Sequence, residues 1–308
     1  MTMTDVSIIL TTYNSARFLS PAVESILQQS WVDFELLAVD DGSSDESALI
    51  LDEYARADAR VRVIRQSRLG PGAAINPAAR AAHGTFLLIC DSDDVLLPDC
   101  LRAQVNFLQT NPDLVGAGCL ARFVNQQDKR FWRESNPFLT RSDYHRMMQT
   151  GEVLFFRHTG FIMRKAAYLQ TEGYRPVPQA NDIYFFNRLA DVGPILTNPN
   201  ELVLYRMRAG QVTTSYRDRL APRLEWAWIA ACNRARRAGQ PEPERDTFRA
   251  AFERRPWRER VAFSLPALAT SFWYEAKVDF ICQRWQFAWK AALAVALKVA
   301  AWILPRDH

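Results

Sequence analysis

The sequence predicts an α/β protein: a mixed, mainly parallel sheet flanked by helices, with a helical C-terminal extension. Three observations carry this. Short β-rich apolar runs alternate with helically spaced segments through the first hundred residues. Three of those runs end in polar clusters, at Thr11–Asn14, Asp40–Ser44 and Asp91–Asp94. Beyond about Arg217 the alternation stops and helical, then aromatic, segments follow. With 308 residues, 48% of them hydrophobic, the chain is long enough for one large α/β domain plus an extension.

The elements follow in order. Val6–Leu10 reads as a buried strand. Pro21–Gln29 has helical spacing, with Ser20 as N-cap and Pro21 at the first helical position. Phe34–Val39 is a second strand, Asp45–Ala57 a helix, Val61–Ile64 a third strand, Ala73–Ala82 a helix and Phe86–Cys90 a fourth strand. In open sheets of parallel βαβ units, ligands bind beyond the carboxyl ends of the strands. The three polar strand ends are therefore expected to converge on one edge.

Composition narrows the setting. A formal net charge of +4 neither supports nor excludes an anionic partner. Five scattered cysteines without a C-x-x-C pair fit a reduced, cytoplasmic chain and argue against structural zinc. Met1–Asp5 lacks a basic start and Val6–Leu10 is short, so no secretory signal is expected.

Each cluster suggests a chemistry. Asp91, Asp93 and Asp94 lie within four residues, and such carboxylates repel one another unless a cation sits among them. Mg²⁺ or Mn²⁺ would suit oxygen ligands and also hold phosphate oxygens. A solvated turn with Asp94 capping a helix is the plain alternative. Asp41 is able to accept a base N–H while Ser44 or Asp45 caps the following helix, which would leave Asp41 free.

At this point a resemblance is clear. Val6–Asn14, Ala22–Gln29, Val39–Asp45 and Asp91–Asp94 with Leu97-Pro98-Asp99 resemble, in this order, the motifs of family 2 glycosyltransferases, which have the GT-A fold. The resemblance covers roughly residues 5–215. It implies that Thr11, Tyr13 and Asp41 contact the nucleotide base and ribose. It implies that Asp91 meets ribose or metal and that Asp93 ligates the metal. Many relatives carry an Arg-Asn pair where this chain has Ile75-Asn76. The phosphate contact of that Arg is absent, and Arg68 and Arg80 are the candidate substitutes.

Gly160–Lys165 resembles the family's strand before a helix, and Gly173–Arg175 with Ala180–Ala190 its acidic catalytic segment. The usual Glu-Asp pair reads Asn181-Asp182, which makes Asp182 the expected general base; capping the helix Ile183–Ala190 is its alternative role. Leu202–Arg208 resembles the last core strand, whose Arg206 and Arg208 would neutralise a departing diphosphate or line a solvated face. Gln211–Tyr216 would form a loop over the site. His83, His145 and His158 are not spaced as metal ligands; His158, just before Gly160, is the most interesting of them.

The expected organisation is a GT-A domain over 1–217, with a nucleotide-sugar half (1–110) and an acceptor half (111–217), then a helical extension over 218–308. Within the extension, Pro222–Gly239 reads as a helix. Residues 287–304 are apolar apart from Lys290 and Lys298, and Lys277, Arg284 and Lys298 share one helical stripe among several Trp residues. That pattern fits peripheral contact with the cytoplasmic membrane face, or packing on the catalytic domain or a second subunit. The lysines argue against a true span.

The expectation is an inverting, metal-dependent transferase using Mn²⁺ or Mg²⁺. It would move one sugar from a nucleoside diphosphate sugar, a UDP-sugar by preference, to a glycan or lipid-linked acceptor. No nucleic-acid partner is expected, and a homo-oligomer is left open. A nucleotidyltransferase would show a Gly-rich phosphate loop, which Thr11–Arg17 lacks. A non-catalytic sugar-nucleotide-binding scaffold is the second alternative. Gln283-Arg284-Trp285 lacks the Gln-x-x-Arg-Trp spacing of polymerising relatives, which favours single-sugar transfer.

Overall fold

The computed structural model describes residues 5–70, 72–125, 130–133, 140–175, 180–207, 221–256, 259–260 and 291–298. The chain divides into two compact units. The first comprises Met1–Phe123, Trp132–Gln149 and Leu154–Arg206; the second comprises Val124–Phe131, Thr150–Val153 and the chain from Met207 onward.

The first unit begins with β1 (Val6–Thr12), α1 (Ala16–Leu27), β2 (Phe34–Asp40), α2 (Ser47–Ala57), β3 (Val61–Arg65), α3 (Ile75–Ala81) and β4 (Phe86–Asp91). Further along the chain come β5 (Val95–Leu96), α4 (Cys100–Thr110), β6 (Gly116–Val124), β7 (Arg130–Arg133, divided between the units), α5 (Arg141–Thr150), β8 (Ile162–Arg164), α6 (Lys165–Tyr168), α7 (Asn181–Val192) and β9 (Ile195–Arg206). The sheet order is β3-β2-β1-β4-β8-β6-β9-β5, with β7 paired to β6. β1 lies parallel to both β2 and β4, and β2 parallel to β3; β8 runs antiparallel between β4 and β6.

The sequence explains this layering. β1, β2 and β4 are almost wholly buried, and their near-continuous apolar runs suit strands covered on both faces. The parallel register sets Thr11 beside Val39 on one side and Asp91 on the other, with Thr12 beside Asp40. Three polar strand ends thus fall at one edge of the sheet.

β9 starts at Ile195, upstream of the Leu202 expected for the last core strand, and the start of α1 also departs from the sequence reading. α1 starts at Ala16 rather than Pro21, so Pro21 sits inside the helix. The Ser15 carbonyl accepts the N–H groups of Phe18 and Leu19, so the first turn forms upstream of the proline. Burial of Leu19, Ala22, Val23 and Ile26 holds the helix on the sheet, and this packing outweighs the one backbone donor that Pro21 lacks.

In the second unit, α8 (Ala221–Arg237) matches the helix expected over Pro222–Gly239, and α9 (Arg245–Glu253) follows it. The Trp228 indole donates to the Pro243 carbonyl at 2.8 Å, and Arg245 pairs with the buried Glu225 carboxylate. Thr150, Glu152, Trp226, Ala230 and Arg234 line a cavity of about 420 Å³ in this unit. Residues 291–298 are helical. Among the described residues no helix is long and apolar enough to cross a membrane. Arg208, the loop Gln211–Tyr216, Cys282 and most of the aromatic stretch through 304 lie outside the described residues.

Candidate active site

The site is built on the strand ends. Asp41, immediately after β2, is buried, and its carboxylate is engaged rather than free. Oδ1 accepts from Gln66 Nε2 and the Leu69 N–H, both at 2.8 Å, and Oδ2 accepts from the Gly70 N–H at 2.9 Å. Asp41 therefore clamps the turn that follows β3. Its neighbour Gly42 has φ +79°, and a Cβ there would meet the Arg68 backbone N at 3.2 Å, so the close approach of the two loops requires glycine. The clamped turn sets the Arg68 guanidinium 3.5 Å from the centre of the half-exposed Tyr13 ring.

The acidic cluster divides into two kinds of carboxylate. Asp94 turns inward: it is 1% exposed, Oδ2 accepts from the Thr159 hydroxyl at 2.6 Å and Oδ1 from the Arg206 N–H at 2.8 Å. Burial, then the charges of Asp93 and Asp91, push its carboxyl well above the usual range. Asp91 and Asp93 are only half-buried. The Asp91 N–H donates to the Thr159 hydroxyl at 3.1 Å, so Thr159 ties together the two ends of the cluster. Arg206, at the end of β9, is 2% exposed and donates through Nε to the Asp93 carbonyl at 2.8 Å. A solvated face is thus excluded for Arg206, and it braces the backbone of the acidic turn.

Asp91 Oδ1 lies 3.0 Å from His158 Nδ1, and His158 Nε2 lies 3.2 Å from the Tyr174 hydroxyl. Burial opposes ionisation of Asp91, yet the His158 charge and hydrogen bond hold its carboxyl below the ordinary value. Burial likewise opposes the imidazolium, but Asp91, then Asp182, hold His158 above its ordinary value. Asp182 lies in the first turn of α7, where the helix N-terminus favours negative charge. Burial raises its carboxyl above the ordinary value; the nearby His158 opposes this and Asp91 adds to it. Asp91, His158 and Asp182, from three separate elements, therefore share one electrostatic neighbourhood. Asp182 does not cap α7: the cap position is Ala180, in left-handed conformation, and no side chain caps it.

Tyr174 is itself held from α3. Asn76 Nδ2 donates to the Tyr174 carbonyl at 2.8 Å, and Asn76 Oδ1 accepts from the Tyr174 N–H at 2.9 Å and the Tyr168 hydroxyl at 2.8 Å. The Tyr174 ring stacks on Phe185 of α7, with centroids 4.2 Å apart. Asn76 thus has a structural part, tying the Tyr174 backbone to the Tyr168 hydroxyl.

The structure brings Thr11, Tyr13 and Asp41 to one strand edge through register, and gathers Asp91, Asp93, Asp182 and Arg206 around the acidic turn. Sequence reasoning missed the connecting roles of Tyr174, Thr159 and Asn76, and understated that of His158. No spacing rule marks them, because their partners lie 16 to 98 residues away. His83 belongs elsewhere, 3.1 Å from Glu35 near the opposite end of the strands. Among the described residues, no three His, Cys, Asp or Glu side chains group as a complete metal cage.

Comparison with known proteins agrees with this architecture. The uncharacterised glycosyltransferase EpsJ of Bacillus subtilis is 34% identical over 169 residues, 53% of this chain and 47% of the relative. Chondroitin synthase of Escherichia coli is 29% identical over 68% of this chain but only 30% of the relative. The chain thus spans about half the length, or less, of these curated relatives. Among solved structures, S. aureus TarS 1–349 in complex with UDP-GlcNAc superposes with a TM-score of 0.61 at 18% identity, covering 96% of this chain and 90% of that one. The mannosyltransferase PcManGT of Pyrobaculum calidifontis, in complex with GDP-Man and Mn²⁺, gives 0.58 at 17% identity, covering 97% and 86%. These likenesses bear out the mixed α/β GT-A fold. The model of glycosyl transferase family 2 matches residues 7–171, more than half of the chain, and the chain belongs to that family.

Proposed function

We propose that this chain is an inverting glycosyltransferase that moves one sugar from a nucleoside diphosphate sugar, a UDP-sugar, to an acceptor hydroxyl. One observation carries the reading. The half-buried carboxyl of Asp182 lies within electrostatic reach of the hydrogen-bonded Asp91–His158 pair, beside the strand-end edge of the sheet. Its raised proton affinity suits a general base.

The acceptor O–H gives its proton to the Asp182 carboxylate as its oxygen attacks the anomeric carbon. The bond from that carbon to the diphosphate oxygen breaks on the opposite face, and the nucleoside diphosphate leaves with the electron pair. Configuration inverts because attack and departure are in line.

Asp91 and Asp93 supply hard oxygen donors, while Asp94 is committed inward to Thr159 and Arg206. These two carboxylates would hold a Mg²⁺ or Mn²⁺ ion, since such hard cations prefer oxygen donors. When bound, such an ion would supply charge stabilisation to the departing diphosphate. Arg206 holds the acidic turn in place by its bond to the Asp93 carbonyl. Structural neighbours in complex with UDP-GlcNAc and with GDP-Man and Mn²⁺ support a sugar-nucleotide donor.

The acceptor belongs to a cell-surface glycan or glycolipid, and the chain acts at the inner membrane face. The basic stripe Lys277, Arg284 and Lys298 among aromatic residues supports this. Co-sedimentation with anionic vesicles tests the membrane part; failure to bind at low salt would remove it.

A thermal-shift screen of nucleoside diphosphates and their sugars with Mn²⁺ tests the whole reading. One diphosphate series should stabilise the protein, and Asp93→Ala should abolish the metal-dependent portion of that shift. An unchanged metal dependence in the variant would reject the metal role of Asp93.

A further inference from the structure

A departing diphosphate needs a cation, and Arg68 and Arg80 are the two arginines flanking the segment Leu69–Ala79. The two are separated by the structure. Arg80 lies in the last turn of α3, near enough to Tyr168 to affect its hydroxyl, on the helix rather than at the strand ends. Arg68 lies in the turn after β3, and its guanidinium stacks on the Tyr13 ring at 3.5 Å.

This placement is built. On either side of Arg68, Gln66 and Leu69 donate to the buried Asp41 carboxylate, and the Gln66 N–H also donates to the Asp40 carbonyl at 3.1 Å. Gly42 lets the loop after β2 approach the Arg68 backbone. A solvent-exposed arginine on a clamped turn thus meets an aromatic ring one residue beyond β1, whose Thr11 pairs with Asp91. Among the described residues no carboxylate pairs with Arg68. An arginine held by an aromatic face keeps its five N–H donors available, and its planar fork matches phosphate oxygens.

We infer that Arg68 is the cation that binds the diphosphate of the donor from the Tyr13 side. The inference rests on the sugar-nucleotide reading above. It gives the Asp41 clamp a purpose: Asp41 holds the turn that delivers Arg68.

Calorimetric titration of the full chain in Mn²⁺ with uridine, UMP and UDP, and with the guanosine series, tests this. Arg68→Ala and Arg68→Gln should weaken the diphosphate by about tenfold or more while changing the nucleoside by less than about twofold. Arg68→Lys should fall between, since it keeps charge but loses the planar fork. Arg80→Ala, the matched charge removal, should leave diphosphate affinity within about twofold. Equal losses along the nucleoside, mono- and diphosphate series would mean that Arg68 meets the base, and would overturn the inference. So would unchanged affinity in Arg68→Ala, or an equal loss in Arg80→Ala. If the wild-type chain binds neither diphosphate, the donor reading itself falls, an outcome distinct from any effect of Arg68.

Discussion

The Nδ1 of His158 lies 3.0 Å from Oδ1 of Asp91, and its other ring nitrogen faces the Tyr174 hydroxyl at 3.2 Å. A histidine with no metal-ligand spacing thereby links Asp91 to Tyr174, and in the proposed function it joins the donor side to the base. It orients Asp91, and its charge acts on Asp182 as well. His158→Ala leaves a half-buried carboxylate and a buried phenol without this partner. Stability should fall by about 1–3 kcal/mol in chemical denaturation. Transfer rate should fall more than donor affinity does, and His158→Gln should recover part of the stability. Wild-type rates in His158→Ala would show that the link is packing alone.

The same pair sets a pH window. Asp91 is held below its ordinary value, so its contribution is present above the unfolded carboxylate range and is lost as pH falls through the folded value. His158 is held above its ordinary value, so its contribution is full below the unfolded imidazole range and is lost as pH rises through the folded value. In EDTA, the stability gap between wild type and His158→Gln should therefore be widest between about pH 5 and 6.5. It should narrow on either side. A gap that is flat from acid to alkaline pH would contradict the ion pair.

Asp182→Asn keeps the shape of the first turn of α7 and removes the base. Transfer should fall on the order of 10²–10⁴-fold while the affinity for the nucleoside diphosphate holds. Because burial raises the Asp182 carboxyl, the acidic limb of the wild-type rate should lie above the ordinary aspartate value. Rate measurements from mild acid to neutrality check this. Full activity in Asp182→Asn would move the base elsewhere.

Thr159→Val removes one hydroxyl that donates to Asp94 and accepts the Asp91 N–H. Thr159 is fully buried, so water does not replace it. The variant should lose about 1–3 kcal/mol, read from the denaturant midpoint. Its metal-dependent shift with nucleotide should also weaken, since the acidic turn loses its tie. A midpoint unchanged from wild type would contradict this account.

Gly173 has φ +72°, and a Cβ there would stand 2.6 Å from Asn76 Oδ1 and 2.8 Å from the Tyr168 hydroxyl. Gly173→Ala should cost about 1–3 kcal/mol through backbone strain and displacement of Asn76. It should also lower the transfer rate, because Asn76 positions the Tyr174 backbone. Thermal unfolding and initial rates on the same preparation check both effects.

Much of the first half was legible in the chain. Period and composition identified β1, β2 and β4 to within two residues, because strands buried on both faces must be apolar along their length, and β3 by the alternation of apolar residues with Arg62 and Arg65 at the sheet edge. Parallel topology then placed Thr11, Asp41 and Asp91 at one edge. The start of α1 was not legible, since a proline signals a first turn locally, while packing of Leu19, Val23 and Ile26 governed the real one.

What the sequence determined by itself is the set of strand-end groups: Thr11, Tyr13, Asp41, Asp91 and Asp93, with Asp182 arriving later. Local pattern carries these because βα order alone sends them to one side of the sheet. Only the tertiary structure decided which groups touch. It turned Asp94 inward to Thr159 and Arg206, committed Asp41 to the turn that carries Arg68, and set His158 between Asp91 and Tyr174. The reason is physical. A buried carboxylate must find donors wherever the fold brings them, and those donors lie tens of residues away, where no local periodicity reaches.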